Sequence, residues 1–233
     1  MSARKEYEVS NYSWISMLHY WEVKNNYEQL SCLKYMCGEA VELEMALTNS
    51  SIVTVTFAAM TLEAFFNDYA AKKLGDKFFY ENFEILRPMG KLQLIAKFIL
   101  KADVVKGTTL WNLADSLFRE RNKYVHSKSE DGHDLGMTED EYKEFLAFVE
   151  TDEGKGFLSQ PSEVDMKTPN AMLKSAFDAL CALRDVGKFF DEHDGEKTAL
   201  AELLSAGGCI AASPDEIAHV QEVQKELGIP VIA

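Results

Sequence analysis

The sequence predicts an all-α protein, a helical bundle with a helical N-terminal extension. Apolar residues recur at helical spacing along most of the chain, as Trp14, Met17, Leu18 and Trp21 do. Hydrophobic residues make up 47% and charged residues 27%, which is typical of a packed domain. No apolar run approaches the roughly 20 residues that span a bilayer, and the N-terminus lacks the apolar segment of a signal peptide. We therefore expect a cytoplasmic protein without membrane contact.

The first half of the chain predicts three helices separated by polar breaks. The first helix contains Trp14, and Asn25-Asn26 is a candidate interruption. A second helix is predicted over residues 27–47, followed by a turn at residues 48–51, where four small polar residues occur together. A third helix is predicted over residues 52–74. It begins with β-branched residues, but its later apolar residues keep helical spacing and Gly75 is typical of a helix end.

The second half continues the helical pattern. Pro88 marks a loop before another apolar stripe, and Thr108-Thr109 is a candidate cap for the next helix. A polar loop over residues 127–137 precedes a capping box made by Thr138 and Glu141. Thr168-Pro169 begins a further long helix. We divide the chain into an N-terminal helical extension (1–50), a helical core (51–192) and a C-terminal helical appendage (193–233).

The net charge of −14, from 24 basic and 38 acidic residues, argues against a broad surface for polyanions. Its distribution is uneven, because residues 119–128 hold four bases and one acid whereas residues 130–153 hold ten acids and one lysine. Such a basic island is compatible with a small phosphate site but not with a face that coats a duplex. The four cysteines have no second pair at metal-ligand spacing, so we expect free buried thiols, no metal and no cofactor.

The helix that starts near Leu110 carries polar residues where its apolar stripe would continue. The spacing of residues 110, 113, 114, 117 and 118 extends to Arg121, Asn122 and Val125, and His126 lies one turn beyond Asn122. Buried charge is costly unless it is paired or lies at a cleft or an interface. Either the helix end leaves the core and its polar residues are solvated, or Arg121, Asn122 and His126 form a functional surface.

These three side chains suit chemistry on RNA. A histidine with a pKa near 6.5 takes up or donates a proton near neutral pH. An arginine fork holds a phosphate and stabilises the charge that develops on it. The 2′-hydroxyl of RNA is a built-in nucleophile, so a base and a cation suffice without a metal ion.

Arg121-Asn122 followed by His126, near the end of an amphipathic helix, resembles the HEPN superfamily, whose motif is an arginine followed a few residues later by a histidine. The residues 62–69 (Leu-Glu-Ala-Phe-Phe-Asn-Asp-Tyr) resemble the earlier core helix of that family. The segments 88–95 and 111–113 also fit its layout. The resemblance covers roughly residues 53–190 and does not extend to the ends of the chain.

This resemblance implies a HEPN-like bundle that forms a homodimer, with two motifs meeting across the interface in one composite, metal-independent endoribonuclease site. In that site His126 is the acid and base, Arg121 holds the phosphate and Asn122 assists. The product carries a 2′,3′-cyclic phosphate. Many such proteins serve in toxin–antitoxin systems or phage defence. RNA is therefore the expected substrate, and an antitoxin or defence-system protein is the expected partner.

Further residues are candidates near the motif. Glu63 and Asn67 lie one helical turn apart and could approach Arg121. The alternative interpretation is that Glu63 forms a structural salt bridge or lies in solvent. Arg119 also has a permitted spacing to His126, so the working arginine is either Arg119 or Arg121.

Four residues are candidate RNA contacts: Arg119, Lys123, Tyr124 and Lys128. The two lysines are suited to phosphate contact, although a solvated helix end is the more ordinary role of such lysines. Tyr124 could stack on a base or pack in the core or an interface.

Two alternative functions remain beside the ribonuclease. A non-catalytic HEPN-type module would bind a partner protein, RNA or a nucleotide while keeping the fold. A helical adaptor unrelated to RNA would dock a partner through an amphipathic face near either end of the chain. A monomer with Arg121 paired internally would favour the adaptor.

Overall fold

The computed structural model describes residues 3–125, 143–144, 147, 163–204 and 212–231, with side chains described from Val9 onward. These residues form an all-α fold, which confirms the predicted class, and no β-strand occurs among them. The named helices are α1 (Ala3–Ser31), α2 (Gly38–Leu74), α3 (Asp76–Asn82), α4 (Pro88–Leu94), which continues as a π-helical turn (Ile95–Leu100), α5 (Thr109–Val125), α6 (Lys167–His193), α7 (Ala199–Leu204) and α8 (Pro214–Glu226). The predicted polar loop at 127–137 and the capping box of Thr138 and Glu141 lie outside the described residues.

The two longest helices, α1 and α2, form an antiparallel hairpin. The Tyr12 ring lies 5.7 Å from the Phe57 ring, and the Ser50 hydroxyl donates to Glu22, so early α1 contacts the middle of α2 and late α1 contacts its first part.

The predicted interruption at Asn25-Asn26 is wrong, because α1 continues through it. The chain instead breaks at residues 32–37, where Cys32 and Cys37 are exposed. Among the described thiols, burial is confirmed for Cys181, and the prediction of a buried thiol is wrong for Cys32 and Cys37.

The turn predicted at residues 48–51 is also wrong, because these residues lie inside α2. Their polar side chains find partners in neighbouring helices. Ser50 donates to the Glu22 carboxylate at 2.9 Å, and Ser51 donates to the Met172 carbonyl at 3.0 Å. A hydroxyl that is satisfied by tertiary contacts no longer favours a turn over a helix.

Helix α6 lies parallel to α2 and supplies the other large part of the core. Ser51 contacts Met172 near the start of α6, and Tyr69 donates to Asp194 just beyond its end. Between these points Phe190 packs against an aromatic cluster on α2, with its ring 5.0 Å from those of both Phe65 and Tyr69. Helix α5 packs against both α2 and α6.

The C-terminal helices close over α1. Tyr20 of α1 donates to Glu226 of α8 at 2.8 Å, and the Trp21 ring stacks on His219 with the centroids 3.5 Å apart. Ser13 donates to the Leu203 carbonyl of α7. Residues from all three predicted segments thus share one apolar core, and α2 runs without a break through the predicted boundary between residues 50 and 51.

Helix α2 is long and apolar enough to cross a membrane on length and composition alone. Half of its most apolar stretch is buried within the fold, where it contacts α1, α5 and α6. A central core helix of this kind has the same composition as a membrane span.

Candidate functional site

Helix α5 carries the first two residues of the predicted motif, Arg121 and Asn122, on its last turns. Thr108 accepts from the backbone N–H of Trp111 at 3.4 Å, and Ala114, Leu117 and Phe118 anchor the helix in the core. Arg121 continues this buried face. Asn122 is exposed, so the polar groups do not all follow the apolar stripe inward. His126 and Lys128 lie outside the described residues.

Arg121 forms an ion pair with Glu63 of α2. Its Nη2 donates to Glu63 Oε2 at 3.1 Å, and the two side chains are 20% and 36% exposed. The Nε of Arg121 is buried and has no hydrogen-bond partner among the described residues. The predicted approach of Glu63 to Arg121 is thus present, in the form of the salt bridge that was its alternative interpretation.

One turn along α2, Asn67 contacts a second cation. The amine of Lys91, on α4, donates to Asn67 Oδ1 at 2.6 Å, and Lys91 is only 2% exposed. Burial lowers the pKa of Lys91, while the charges of Glu63 and Glu84 act in the opposite direction. Glu63 therefore lies between two cationic side chains, one on α5 and one on α4.

A cavity of about 280 Å³ adjoins this polar group between α1, α2 and α3. Its wall contains two carboxylates, an amide and several aromatic rings, contributed by Tyr12, Met60, Glu63, Ala64, Asn67, Phe79, Tyr80 and Glu84. Because Glu63 both lines the cavity and pairs with Arg121, Arg121 lies next to the cavity wall.

The other described candidates, Arg119, Lys123 and Tyr124, also lie on α5. Arg119 is 75% exposed and pairs with Asp115 one turn earlier, whereas Arg121 reaches α2. Lys123 is exposed and donates to Glu120, which raises the pKa of the lysine. Tyr124 is half-buried, with its hydroxyl 4.0 Å from the Met172 sulfur of α6. Tyr124 therefore packs against the core.

Lys91, Glu84, Tyr12 and Tyr80 lie at or beside the cavity but were not among the residues predicted from the sequence. One signal was available for Lys91, since it lies four residues before Ile95 and so occupies the inward face of that helix, where a lysine is out of place. The others come from different segments, so only tertiary folding brings them together. Among the described residues no cluster of three or more histidine, cysteine, aspartate or glutamate side chains is arranged to hold a metal ion.

Comparison with known proteins found no matching family model, no matching curated protein and no matching solved structure.

Proposed function

We propose that this chain is a metal-independent endoribonuclease of the HEPN type, acting as a homodimer in a toxin or phage-defence role in the cytoplasm. Arg121 holds the scissile phosphate, His126 exchanges the proton and Asn122 orients the substrate. The observation that carries this proposal is the fixed position of Arg121. Its guanidinium lies at the end of a core-anchored helix and is held by Glu63.

An arginine held in this way suits phosphate recognition. A guanidinium has five N–H donors in a rigid fork, and Glu63 accepts from one of them. A carboxylate partner reduces the motion of the side chain, so less entropy is lost when a phosphate binds. In an interior less polar than water, the guanidinium also stabilises developing negative charge more strongly than it would in solvent.

The reaction proceeds without a metal ion. His126 accepts the proton of the 2′-hydroxyl as the 2′-oxygen forms a bond to phosphorus. The bond from phosphorus to the 5′-oxygen breaks, and that oxygen takes up a proton. The products are a 2′,3′-cyclic phosphate and a 5′-hydroxyl end. Arg121 neutralises the added charge on the phosphoryl oxygens, which is the role of the cation in phosphoryl transfer.

Cleavage of total RNA in excess EDTA tests this proposal. The wild type should cut RNA and leave cyclic phosphate ends, and the His126→Ala and Arg121→Ala variants should each lose activity by about 100-fold or more. The matched control is His193→Ala, since His193 is exposed on α6 and its Nδ1–H donates to the Phe189 carbonyl of the same helix. Equal cutting by the wild type and His126→Ala would remove the proposal.

The composite site has a separate test. Light scattering should give a mass twice that of the 26.3 kDa chain. A monomer at micromolar concentration would exclude a site built from two copies of the motif.

A non-catalytic binding or adaptor module is the second candidate, and one observation favours it. Arg121 already has a partner within its own chain, which is the arrangement expected of a structural arginine. In that case the purified wild type should cut no RNA, while His126→Ala should bind the same partner with unchanged affinity.

A further inference from the structure

The cavity beside Glu63 has the size of a site for one small ring system. Its volume of about 280 Å³ is close to the lower end of the range that ligand-binding cavities occupy. Three different helices contribute to its wall, so its shape depends on the complete hairpin of α1 and α2 and on the short helix α3.

The charges around the cavity cancel. Glu63 and Glu84 line it, while Arg121 pairs with Glu63 and the amine of Lys91 interacts with both carboxylates. Two acids and two bases leave no net charge to attract a simple cation or anion. The ligand that suits such a wall is an uncharged group with several hydrogen-bonding atoms.

The hydrogen-bonding groups define which atoms that ligand needs. Glu84 lines the cavity and is exposed, and its carboxylate has two oxygens that accept hydrogen bonds. Asn67 also lines the cavity. Because its Oδ1 accepts from Lys91, its Nδ2 is the group that remains to donate. The wall thus combines a carboxylate, which needs donors, with an amide N–H, which needs an acceptor.

Aromatic rings complete the wall. Tyr12 and Tyr80 lie on different helices, and Phe79 contacts Tyr80 with the ring centroids 5.2 Å apart. Tyrosine rings are surfaces on which nucleobases stack in single-stranded RNA recognition. A flat heterocycle fits such a cavity better than an aliphatic group.

We propose that this cavity is a guanine-binding subsite, which makes guanine the preferred base beside the phosphate that Arg121 holds. Guanine presents two adjacent donors, N1–H and the 2-amino group, which a carboxylate accepts together, and an O6 acceptor for an amide N–H. Adenine, cytosine and uracil lack that pair of adjacent donors. The preference for guanine in cleavage rests on the proposed ribonuclease function, whereas recognition of the base does not.

Calorimetric titration of the full chain with guanosine 3′-monophosphate and inosine 3′-monophosphate tests the subsite. These ligands differ only by the 2-amino group, so contacts to phosphate and sugar cancel. The guanosine nucleotide should bind about tenfold more tightly, the discrimination expected of a paired donor contact. Glu84→Gln should abolish this difference. Glu81→Gln should retain it, because Glu81 is an exposed glutamate on α3 that does not line the cavity.

Each outcome bears on one proposal at a time. Equal affinity of the wild type for the two nucleotides, or binding of neither, overturns the guanine subsite without reference to any variant. Neither ligand contains a bond that a ribonuclease cuts, so guanine selectivity in this titration supports the subsite even if RNA cleavage is absent. Mapped cleavage sites with no enrichment of guanine would overturn the proposed substrate preference and leave the ribonuclease function standing.

Discussion

Removal of the ion pair between Glu63 and Arg121 should destabilise the fold by about 1 kcal/mol. Exposed ion pairs contribute roughly 0.2–1 kcal/mol, and hydrogen bonds to charged groups in buried positions contribute roughly 1.5–3 kcal/mol. The distance of 3.1 Å is short enough for a direct hydrogen bond, and exposures of 20% and 36% place the pair between the two cases. We therefore expect a coupling free energy between Glu63 and Arg121 that lies between those of an exposed and a buried pair.

A double-mutant cycle with Glu63→Gln and Arg121→Met isolates that interaction, because each change keeps most of the side-chain volume. Urea unfolding of the wild type, the two single variants and the double variant should give a coupling free energy of about 1 kcal/mol. For a chain of this length that corresponds to about 2–4 °C in melting temperature. The exposed pair of Asp115 and Arg119 provides a matched control, with an expected coupling of about 0.3–0.5 kcal/mol.

Additivity of the two changes within about 0.3 kcal/mol would refute the argument, since it would mean that the ion pair contributes nothing to folding.

RNA cleavage distinguishes two roles of Glu63, which are orientation of Arg121 for phosphate and stabilisation of the fold. If it orients Arg121 for phosphate, Glu63→Gln should lower RNA cleavage by about tenfold to a hundredfold even where the variant is fully folded. A purely structural salt bridge would lower stability alone.

Three further predictions concern buried or crowded positions. Burial lowers the pKa of Lys91, so its charged form destabilises the fold at neutral pH and that penalty is relieved as the pH rises toward about 10.4. Urea unfolding should therefore show the wild type gaining stability relative to Lys91→Met between pH 7 and pH 10, and a constant difference would contradict this. Burial opposes ionisation of Asp194, but hydrogen bonds from Tyr69 and a neighbouring lysine outweigh it and hold the pKa below its ordinary value. That stabilisation is complete above about pH 3.9 and is lost as the pH falls through the folded-state pKa, so Tyr69→Phe should cost more stability at pH 7 than at pH 3. A Cβ added at Gly187 would lie 2.8 Å from a backbone atom of α7, so Gly187→Ala should lower the thermal midpoint through a loss of about 1–3 kcal/mol. Gly90→Ala is the control, because nothing lies within 4 Å of its added Cβ, and a loss equal to that at Gly187 would refute the steric argument.

The sequence predicted correctly those helix ends that depend on the residue at the end itself, such as a terminal glycine or a capping side chain. Gly75, with a φ of 84°, ends α2 in a conformation that glycine adopts easily. Thr108, a candidate cap in the sequence, accepts from the backbone N–H of Trp111 at the start of α5. These features depend on a few neighbouring residues, which is why sequence alone reveals them.

The wrong predictions lie where tertiary contacts outweighed the secondary structure that the local residue types favour. Residues 48–51 combine residue types that favour turns, but the partners of Ser50 and Ser51 lie in α1 and α6, so the segment is helical. Long-range contacts also hold the C-terminal helices, since α7 and α8 pack on α1, which is nearly 200 residues away in sequence.

The sequence by itself determined the all-α class and identified Arg121 as a polar residue on an apolar helical face, because helical periodicity is a local property of the chain. Only the tertiary structure decided between Arg119 and Arg121 as the arginine that reaches α2. It also brought Glu63 and Glu84 to one cavity and placed Lys91, from a third segment, in contact with Asn67 of the cavity wall. A site of this kind depends on how helices pack, and packing is fixed by the shapes of surfaces that meet only in the folded chain.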